Sequence, residues 1–169
     1  MRCFVAVDVA VNEALASLLK EVRGMGKPVE GDNLHLTLKF LGEIEDSRVA
    51  EEKLSEIRFH RFHLTLKGLG AFPDPNKARV LFVNAVPIDD VSRLASQVDA
   101  GTKWIALDHP FHPHITILRM KNQRDLSSFI SRYSSVVFGE EEITSFKLYR
   151  STLTPSGPVY TVIKSFQLM

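Results

Sequence analysis

Two short stretches with the same pattern decide the fold: Leu34-His35-Leu36-Thr37-Leu38 and Pro113-His114-Ile115-Thr116-Ile117. In both, a histidine and a threonine alternate with large aliphatic residues, which is typical of a strand with one polar and one apolar face. The two histidines lie 79 positions apart in a chain of 169 residues. A pattern that returns at half the chain length indicates an internal duplication.

The duplication extends to the first strand of each half, where Arg2–Ala6 matches Arg79–Val83 at an offset of 77. Each half is predicted to run strand, helix, strand, helix, strand, and the chain closes with a hairpin turned by Pro155-Ser156-Gly157-Pro158. Strands are predicted over about 3–9, 34–41, 62–72, 79–86, 111–120, 145–153 and 159–167, and helices over about 12–23, 46–57, 88–98 and 123–133.

This order of elements predicts an α+β protein with a bilobal duplicated fold. We expect two mostly antiparallel sheets, related by a pseudo-twofold axis, with a central cleft between them. The chain is predicted to be a single domain over 1–169, with lobes at approximately 1–78 and 79–169.

Composition limits the functions open to this chain. It is 44% hydrophobic and 24% charged, which is typical of a folded globular protein and not of a disordered one. Lys and Arg number 21 against 20 Asp and Glu, so a broad basic surface for nucleic acid is not expected, whereas a local phosphate site is compatible with this balance. The single cysteine excludes an intrachain disulfide, and no stretch approaches about 18 apolar residues. We therefore expect a cytoplasmic protein without a membrane span.

The repeated histidine and threonine are the candidate reactive groups. On each strand both side chains point to one face, and a twofold axis would bring the two imidazoles to opposite sides of one cleft. Histidine can act as acid or base near pH 7, so this pair suits metal-independent cleavage of a phosphodiester. Regular alternation also places Lys39 on the face of His35 and Thr37, where it could bind phosphate.

Three further histidines allow other interpretations. His63 begins a third copy of the pattern, but its counterpart in the second half, near Ser145, has no histidine, so we predict a structural role. His112 and His114 could chelate a metal from one face of a strand, and His109 lies just before them. No cysteine or suitably placed carboxylate completes such a site, so metal binding is the less favoured interpretation.

The same residues resemble the two-histidine (2H) phosphoesterase superfamily, and more narrowly its LigT-like group, the RNA 2′,3′-cyclic phosphodiesterases also known as 2′-5′ RNA ligases. The resemblance covers nearly the whole chain. It is carried by Met1–Asp8, Leu34–Glu43, Pro113–Arg119 and Ser151–Tyr160.

The resemblance implies an enzyme that opens a 2′,3′-cyclic phosphate at an RNA 3′ end to a 2′-phosphate. By this analogy His35 is the proton donor to the leaving 3′ oxygen, and His114 is the proton acceptor that activates water. Thr37 and Thr116 would bind the phosphate.

Two more site candidates come from the resemblance. Arg119 matches an arginine of the family motif, although regular strand alternation places it on the face opposite His114. Tyr160 is a candidate substrate contact.

The expected partner is RNA with a 2′,3′-cyclic phosphate terminus, for which tRNA fragments are one candidate source, or a cyclic nucleotide. No cofactor is expected, and the protein is expected to be a monomer. Two alternatives stay open: 2′-5′ RNA ligation by the reverse reaction, and a module that binds a nucleotide or RNA end without turnover.

Overall fold

Nine strands and four helices make up the computed structural model, which describes residues 1–169. The strands are β1 (Arg2–Asp8), β2 (Lys27–Pro28), β3 (His35–Glu43), β4 (Phe62–Phe72), β5 (Ala78–Val86), β6 (His114–Arg124), β7 (Val137–Ile143), β8 (Ser145–Thr154) and β9 (Gly157–Gln167). The helices are α1 (Glu13–Val22), α2 (Arg48–Ser55), α3 (Ile88–Gly101) and α4 (Ser127–Arg132). None of these helices is long and apolar enough to cross a lipid bilayer.

The strands form two sheets in which every neighbouring pair is antiparallel. One sheet has the order β3-β1-β8-β9, and the other has the order β2-β6-β5-β4-β7. Each motif strand therefore lies beside the first strand of its own half. The α+β class and the pair of antiparallel sheets predicted from the sequence are confirmed.

One hydrophobic core of 38 buried residues joins the sheets to the helices that pack on them. Helix α1 shows why the sequence folds this way: the Asn12 side chain accepts a hydrogen bond from the Leu15 amide at 2.9 Å and caps the helix. From there Leu15, Leu18 and Val22 form one buried stripe on the helix. Helices thus cover the core face of the sheets and leave the other face for the cleft.

Strands of each half cross into the sheet of the other half. Strand β4 belongs to the first half of the sequence but pairs with β5, and β8 belongs to the second half but pairs with β1. Each sheet therefore contains strands from both halves of the chain. The expected division into lobes at 1–78 and 79–169 describes the repeat in the sequence, but the sheets do not follow it.

The pairing register also corrects the offset at the first strand. Ala6 lies opposite Thr37 and Phe82 lies opposite Thr116, so the offset there is 76 and not 77. The difference matters because a shift of one residue in the alignment matches residues that point to opposite faces of their strands.

Both motif strands contain a β-bulge directly after the threonine. Along β3, Thr37 and Lys39 pair with adjacent residues of β1, and along β6, Thr116 and Leu118 pair with adjacent residues of β5. Each bulge accordingly buries two successive side chains, Leu38 with Lys39 and Ile117 with Leu118. Residues beyond a bulge face the opposite way from what regular alternation predicts.

Candidate active site

The two motif strands approach each other across the cleft between the sheets, and β3 contacts β6. A small depression between them is bordered by Thr37 and Phe40 from one strand and by His114 from the other, together with His109 and His112. The predicted meeting of the two motifs is therefore present in the structure.

His35 is held at the start of β3 by its own backbone neighbourhood. Its Nδ1 donates to the carbonyl of Asn33 at 2.6 Å, which leaves Nε2 for the cleft. The ring packs against Phe4 at a centroid distance of 4.9 Å and meets the edge of Tyr160 at 5.4 Å. These contacts fix the orientation of the imidazole.

His114 repeats this arrangement in the other sheet. Its Nδ1 donates to the carbonyl of His112 at 2.6 Å, again two residues earlier in the chain. The ring packs against Phe72 and Phe82 at centroid distances of 5.0 and 5.1 Å. The site thus contains two imidazoles with the same tautomer constraint, facing one cleft.

Burial is the main influence on both imidazoles, and it lowers the pKa of each. The hydrogen bond to a backbone carbonyl raises the pKa of each ring in turn. The charge of Arg119 lowers the pKa of both His35 and His114.

The surroundings of His35 and His114 differ in charge, because a different residue lies opposite each histidine on the neighbouring strand. Asp8 lies opposite His35, and its charge raises the pKa of that imidazole. Asn84, which is uncharged, lies opposite His114. Around His114 the remaining charges, those of His112 and His109, lower the pKa. The sheet register therefore gives only one imidazole a carboxylate neighbour.

Asp8 is itself anchored, because its carboxylate accepts hydrogen bonds from the Lys147 ammonium and the Tyr149 hydroxyl. Both partners lie on β8, the strand that crosses over from the second half of the chain. Sequence reasoning missed Asp8, since only the pairing register shows that it lies opposite His35.

Lys39 is not a phosphate ligand in this structure. The bulge turns its side chain to the core, where Nζ contacts Asp99 Oδ1 at 2.7 Å, the Ile105 carbonyl at 2.6 Å, and the Thr102 carbonyl and hydroxyl at 3.0 Å. With 3% of the residue exposed and its donors occupied, the ammonium has no capacity left for a ligand. The prediction from regular alternation was wrong at this residue.

The equivalent bulge in β6 turns Arg119 toward the cleft, whereas the bulge in β3 turns Lys39 toward the core. Alternation places this side chain away from His114, but Ile117 and Leu118 are both buried and Arg119 returns to the cleft face. Its charge lowers the pKa of His35, His114 and Tyr160 alike. Arg119 therefore lies on the cleft face of β6, where its charge acts on all three of these groups.

Tyr160 lies on the cleft side of β9, where its ring also meets Phe4 at 5.0 Å. Burial raises the pKa of its phenol, whereas the charges of Arg119 and Arg2 lower it. Phe40, beyond the bulge of β3, is 46% exposed at the edge of the same cleft. Sequence reasoning missed Phe40 for the same reason that it misplaced Lys39.

The other histidines separate into two groups. His112 stacks on His114 at a centroid distance of 5.7 Å, and His109 borders the same depression. His63 lies exposed on β4 opposite Glu142, in a strand that carries neither motif. No three His, Cys, Asp or Glu side chains of the chain are grouped as metal ligands would be.

Comparison with known proteins identifies relatives along the whole chain. The sequence model of a family described as LigT like phosphoesterase matches residues 5–82 and again residues 83–160. The chain is 39% identical to the RNA 2′,3′-cyclic phosphodiesterase of Archaeoglobus fulgidus, over 99% of this chain and 100% of the relative. It is 35% identical to the protein of the same name from Methanocaldococcus jannaschii, over 98% of this chain and 100% of the relative.

Solved structures agree with the sequence comparison. A crystal structure of a Thermus thermophilus protein superposes with a TM-score of 0.77 at 35% identity, covering 99% of this chain and 97% of the other. Escherichia coli LigT complexed with 3′-AMP superposes with a TM-score of 0.74 at 28% identity, covering 99% and 97%. The double match of the family model also agrees with the duplication observed in the sheets.

Proposed function

This chain belongs to the LigT-like phosphoesterases, and on that premise we propose that it hydrolyses 2′,3′-cyclic phosphate ends of RNA to 2′-phosphates, as the names of its relatives describe for them. The observation that carries the proposal is the pair of cleft-facing imidazoles, each with Nδ1 bound to a backbone carbonyl. Such a pair offers one Nε2 to accept a proton and a second Nε2 to donate one.

In the reaction, water attacks the phosphorus atom as His114 Nε2 accepts its proton. A bond forms from the water oxygen to phosphorus, and the bond from phosphorus to the 3′ oxygen breaks. His35, protonated at the outset, donates its Nε2 proton to that 3′ oxygen. The product carries a free 3′ hydroxyl and a 2′-phosphate, and exchange with solvent returns both imidazoles to their starting states.

The environment of each ring supports this assignment of roles. Burial lowers the pKa of both rings, and the charges around them then act in different directions. Asp8 beside His35 raises the pKa of the ring that must donate a proton, whereas every charge acting on His114 lowers the pKa of the ring that must accept one. These neighbouring charges, and not the net shift, distinguish the two roles.

Charge on the phosphate would be bound by three groups. The hydroxyls of Thr37 and Thr116 share the cleft face with the imidazoles, and Arg119 supplies a cation on the same face. Donors that already surround the phosphate when the reaction begins stabilise developing charge best. That E. coli LigT has been crystallised with 3′-AMP supports a nucleotide in the equivalent cleft.

The test is release of 2′-phosphate from an oligoribonucleotide ending in a 2′,3′-cyclic phosphate, with a metal chelator present. We expect His35→Ala and His114→Ala each to lower kcat by about 10²–10⁴-fold, the usual contribution of a general acid or base. His63→Ala is the matched control, because it removes a histidine from the same local pattern outside the cleft.

Three outcomes would contradict the proposal: a requirement for added metal, full activity in His114→Ala, or tight binding of the cyclic end with no product. The last outcome would indicate a binding module. Product analysis with an added 5′-hydroxyl RNA would detect 2′-5′ ligation as the alternative.

We also propose that the enzyme acts as a cytoplasmic monomer. Its one cysteine, Cys3, is buried in the core and has no partner in the chain, which suits a reducing compartment. Both motifs come from a single chain, so no second subunit is needed to build the cleft. Analytical ultracentrifugation at micromolar concentration should give a mass near 19.0 kDa.

A further inference from the structure

Three cations on the cleft side of the molecule lack a carboxylate partner. Arg2, Lys27 and Arg119 take part in none of the ion pairs of the structure and donate no side-chain hydrogen bond to another residue. Cations that face a cleft without a carboxylate partner favour an anion there. Arg119 already serves the reacting phosphate in the proposed function, which leaves Arg2 and Lys27 unexplained.

Arg2 lies next to Tyr160 on the wall that carries His35. Its strand alternates so that Cys3, Val5 and Val7 enter the core, and Arg2 faces the cleft with Phe4. Arg2 pairs with Ser151, and Ser151 pairs with Tyr160, whose pKa the charge of Arg2 lowers. On its other side Arg2 pairs with Glu43, but that carboxylate is 3.4 Å from the amino group of Met1.

Lys27 lies at the turn of the β8–β9 hairpin. It pairs with Arg119 across β2 and β6, so both side chains leave the sheet on the same face. Lys27 Nζ reaches to 4.0 Å from where a Cβ on Gly157 would stand. The hairpin is fixed there because the Asn33 side chain donates to the Pro158 carbonyl at 3.2 Å.

The direction of the reaction determines what anion these cations meet. In-line attack from the His114 side places the leaving 3′ oxygen, and hence the ribose, on the His35 side of the cleft. An RNA chain continues from that ribose through its 5′ oxygen to the next phosphodiester. Arg2 lies on this wall in register with Tyr160, and Lys27, which leaves the other sheet beside Arg119, reaches toward the same wall at Gly157.

From this arrangement we infer that Arg2 and Lys27 form a second phosphate subsite, which binds the internucleotide phosphodiester preceding the cyclic end. The substrate is then the end of an RNA chain rather than a cyclic mononucleotide. This inference rests on the proposed function and extends it from the reacting group to the residues that bind the neighbouring phosphate.

The experiment compares kcat/KM for a 2′,3′-cyclic mononucleotide with kcat/KM for an oligoribonucleotide that ends in the same cyclic nucleotide. We expect the wild-type protein to favour the oligonucleotide. Arg2→Gln and Lys27→Gln should each reduce that preference by about three- to tenfold, with a log–log salt slope for oligonucleotide binding shallower by about 0.7 per removed cation. Lys20→Gln, on the solvent face of α1, is the charge-matched control and should behave as wild type.

Equal kcat/KM for the two substrates in the wild-type protein would overturn the inference, as would an equal loss on both substrates in Arg2→Gln and Lys27→Gln. Failure of the proposed function gives a different result, namely no product from either substrate. In that case fluorescence anisotropy with an oligonucleotide ending in a 2′-phosphate still decides the matter: weaker binding by both variants supports the subsite, and unchanged binding overturns it.

Discussion

Asp8 and Asn84 occupy corresponding places in the two sheets, each opposite a motif histidine, and differ by one charge. This pair is one source of the asymmetry of the site, beside the two further histidines near His114. The Asp8 carboxylate raises the pKa of His35, while Lys147 and Tyr149 hold that carboxylate in place.

Asp8→Asn should therefore change the pH profile of kcat/KM on one side only. His35 must be protonated to act as the acid, so its pKa governs the alkaline limb, and His114 governs the acidic limb. Without the carboxylate the pKa of His35 falls, and the alkaline limb moves to lower pH while the acidic limb stays. Asp46→Asn, which removes an exposed carboxylate elsewhere, should shift neither limb. Equal movement of both limbs would contradict the assignment of roles.

Gly70 is a residue whose missing side chain shapes the site. A Cβ there would stand 2.4 Å from the ring of Phe82, the ring that packs against His114. We expect Gly70→Ala to displace Phe82, lower the free energy of unfolding by about 1–3 kcal/mol, and reduce kcat/KM. Gly24→Ala is the control, because nothing lies within 4 Å of the added carbon. Urea unfolding and steady-state kinetics would measure both effects, and a neutral Gly70→Ala would show that Phe82 has room to move.

At the scale of the elements, the bulge after each motif threonine decides which side chains reach the cleft. In β3 it sends Lys39 into the core, where the ammonium binds the C-terminal end of α3 and the segment after it through Asp99, Thr102 and Ile105. A buried cation with these partners serves stability, since removing it leaves carbonyl and carboxylate oxygens without their donor.

Lys39→Met should lower the free energy of unfolding by about 2–4 kcal/mol, while kcat of the folded protein at low temperature stays close to that of wild type. Lys103→Met is the matched control: it also removes an ammonium from Asp99, but an exposed one, and should cost less than about 1 kcal/mol. Denaturant unfolding and kinetics on the same samples separate the two effects. A large loss of kcat with unchanged stability would restore the phosphate-binding role that alternation predicts.

The same bulge marks the limit of prediction from the sequence. Regular alternation of side chains along a strand predicts the correct face for His35, Thr37, His114 and Thr116, because these residues precede the bulge. It fails at Lys39 and Arg119, which follow it. A bulge depends on how two strands pair, and a single strand's pattern of apolar residues does not reveal that pairing.

Strand β7 escapes prediction from the sequence for a different physical reason. Its middle reads Glu140-Glu141-Glu142, and only Phe138 and Ile143 are buried. The strand lies at the edge of its sheet, where it pairs with β4 alone. Charged residues are common on such edges because they discourage pairing with other chains. The three glutamates of β7 therefore hide the strand from a prediction that depends on alternating apolar residues.

At the scale of the whole molecule, near-neutral charge and a local cationic site are compatible. The chain carries a formal net charge of +1, yet Arg2, Lys27 and Arg119 are gathered at one cleft without carboxylate partners. The repeat in the sequence predicts the cleft and its two histidines. It does not predict that these cations share the cleft side, because Arg2 and Lys27 belong to different sheets and the short strand β2 has no counterpart in the predicted elements.

The exchange of β4 and β8 between the sheets bears on how such a molecule could arise. In a chain of half this length, the strand equivalent to β4 or β8 would find no partner strand within its own half. Two copies would then be needed, with each copy giving that strand to the other. The resulting homodimer would carry two identical histidines in identical surroundings. Joining the copies end to end keeps the exchange within one chain and frees each side to change alone, as Asp8 and Asn84 have done.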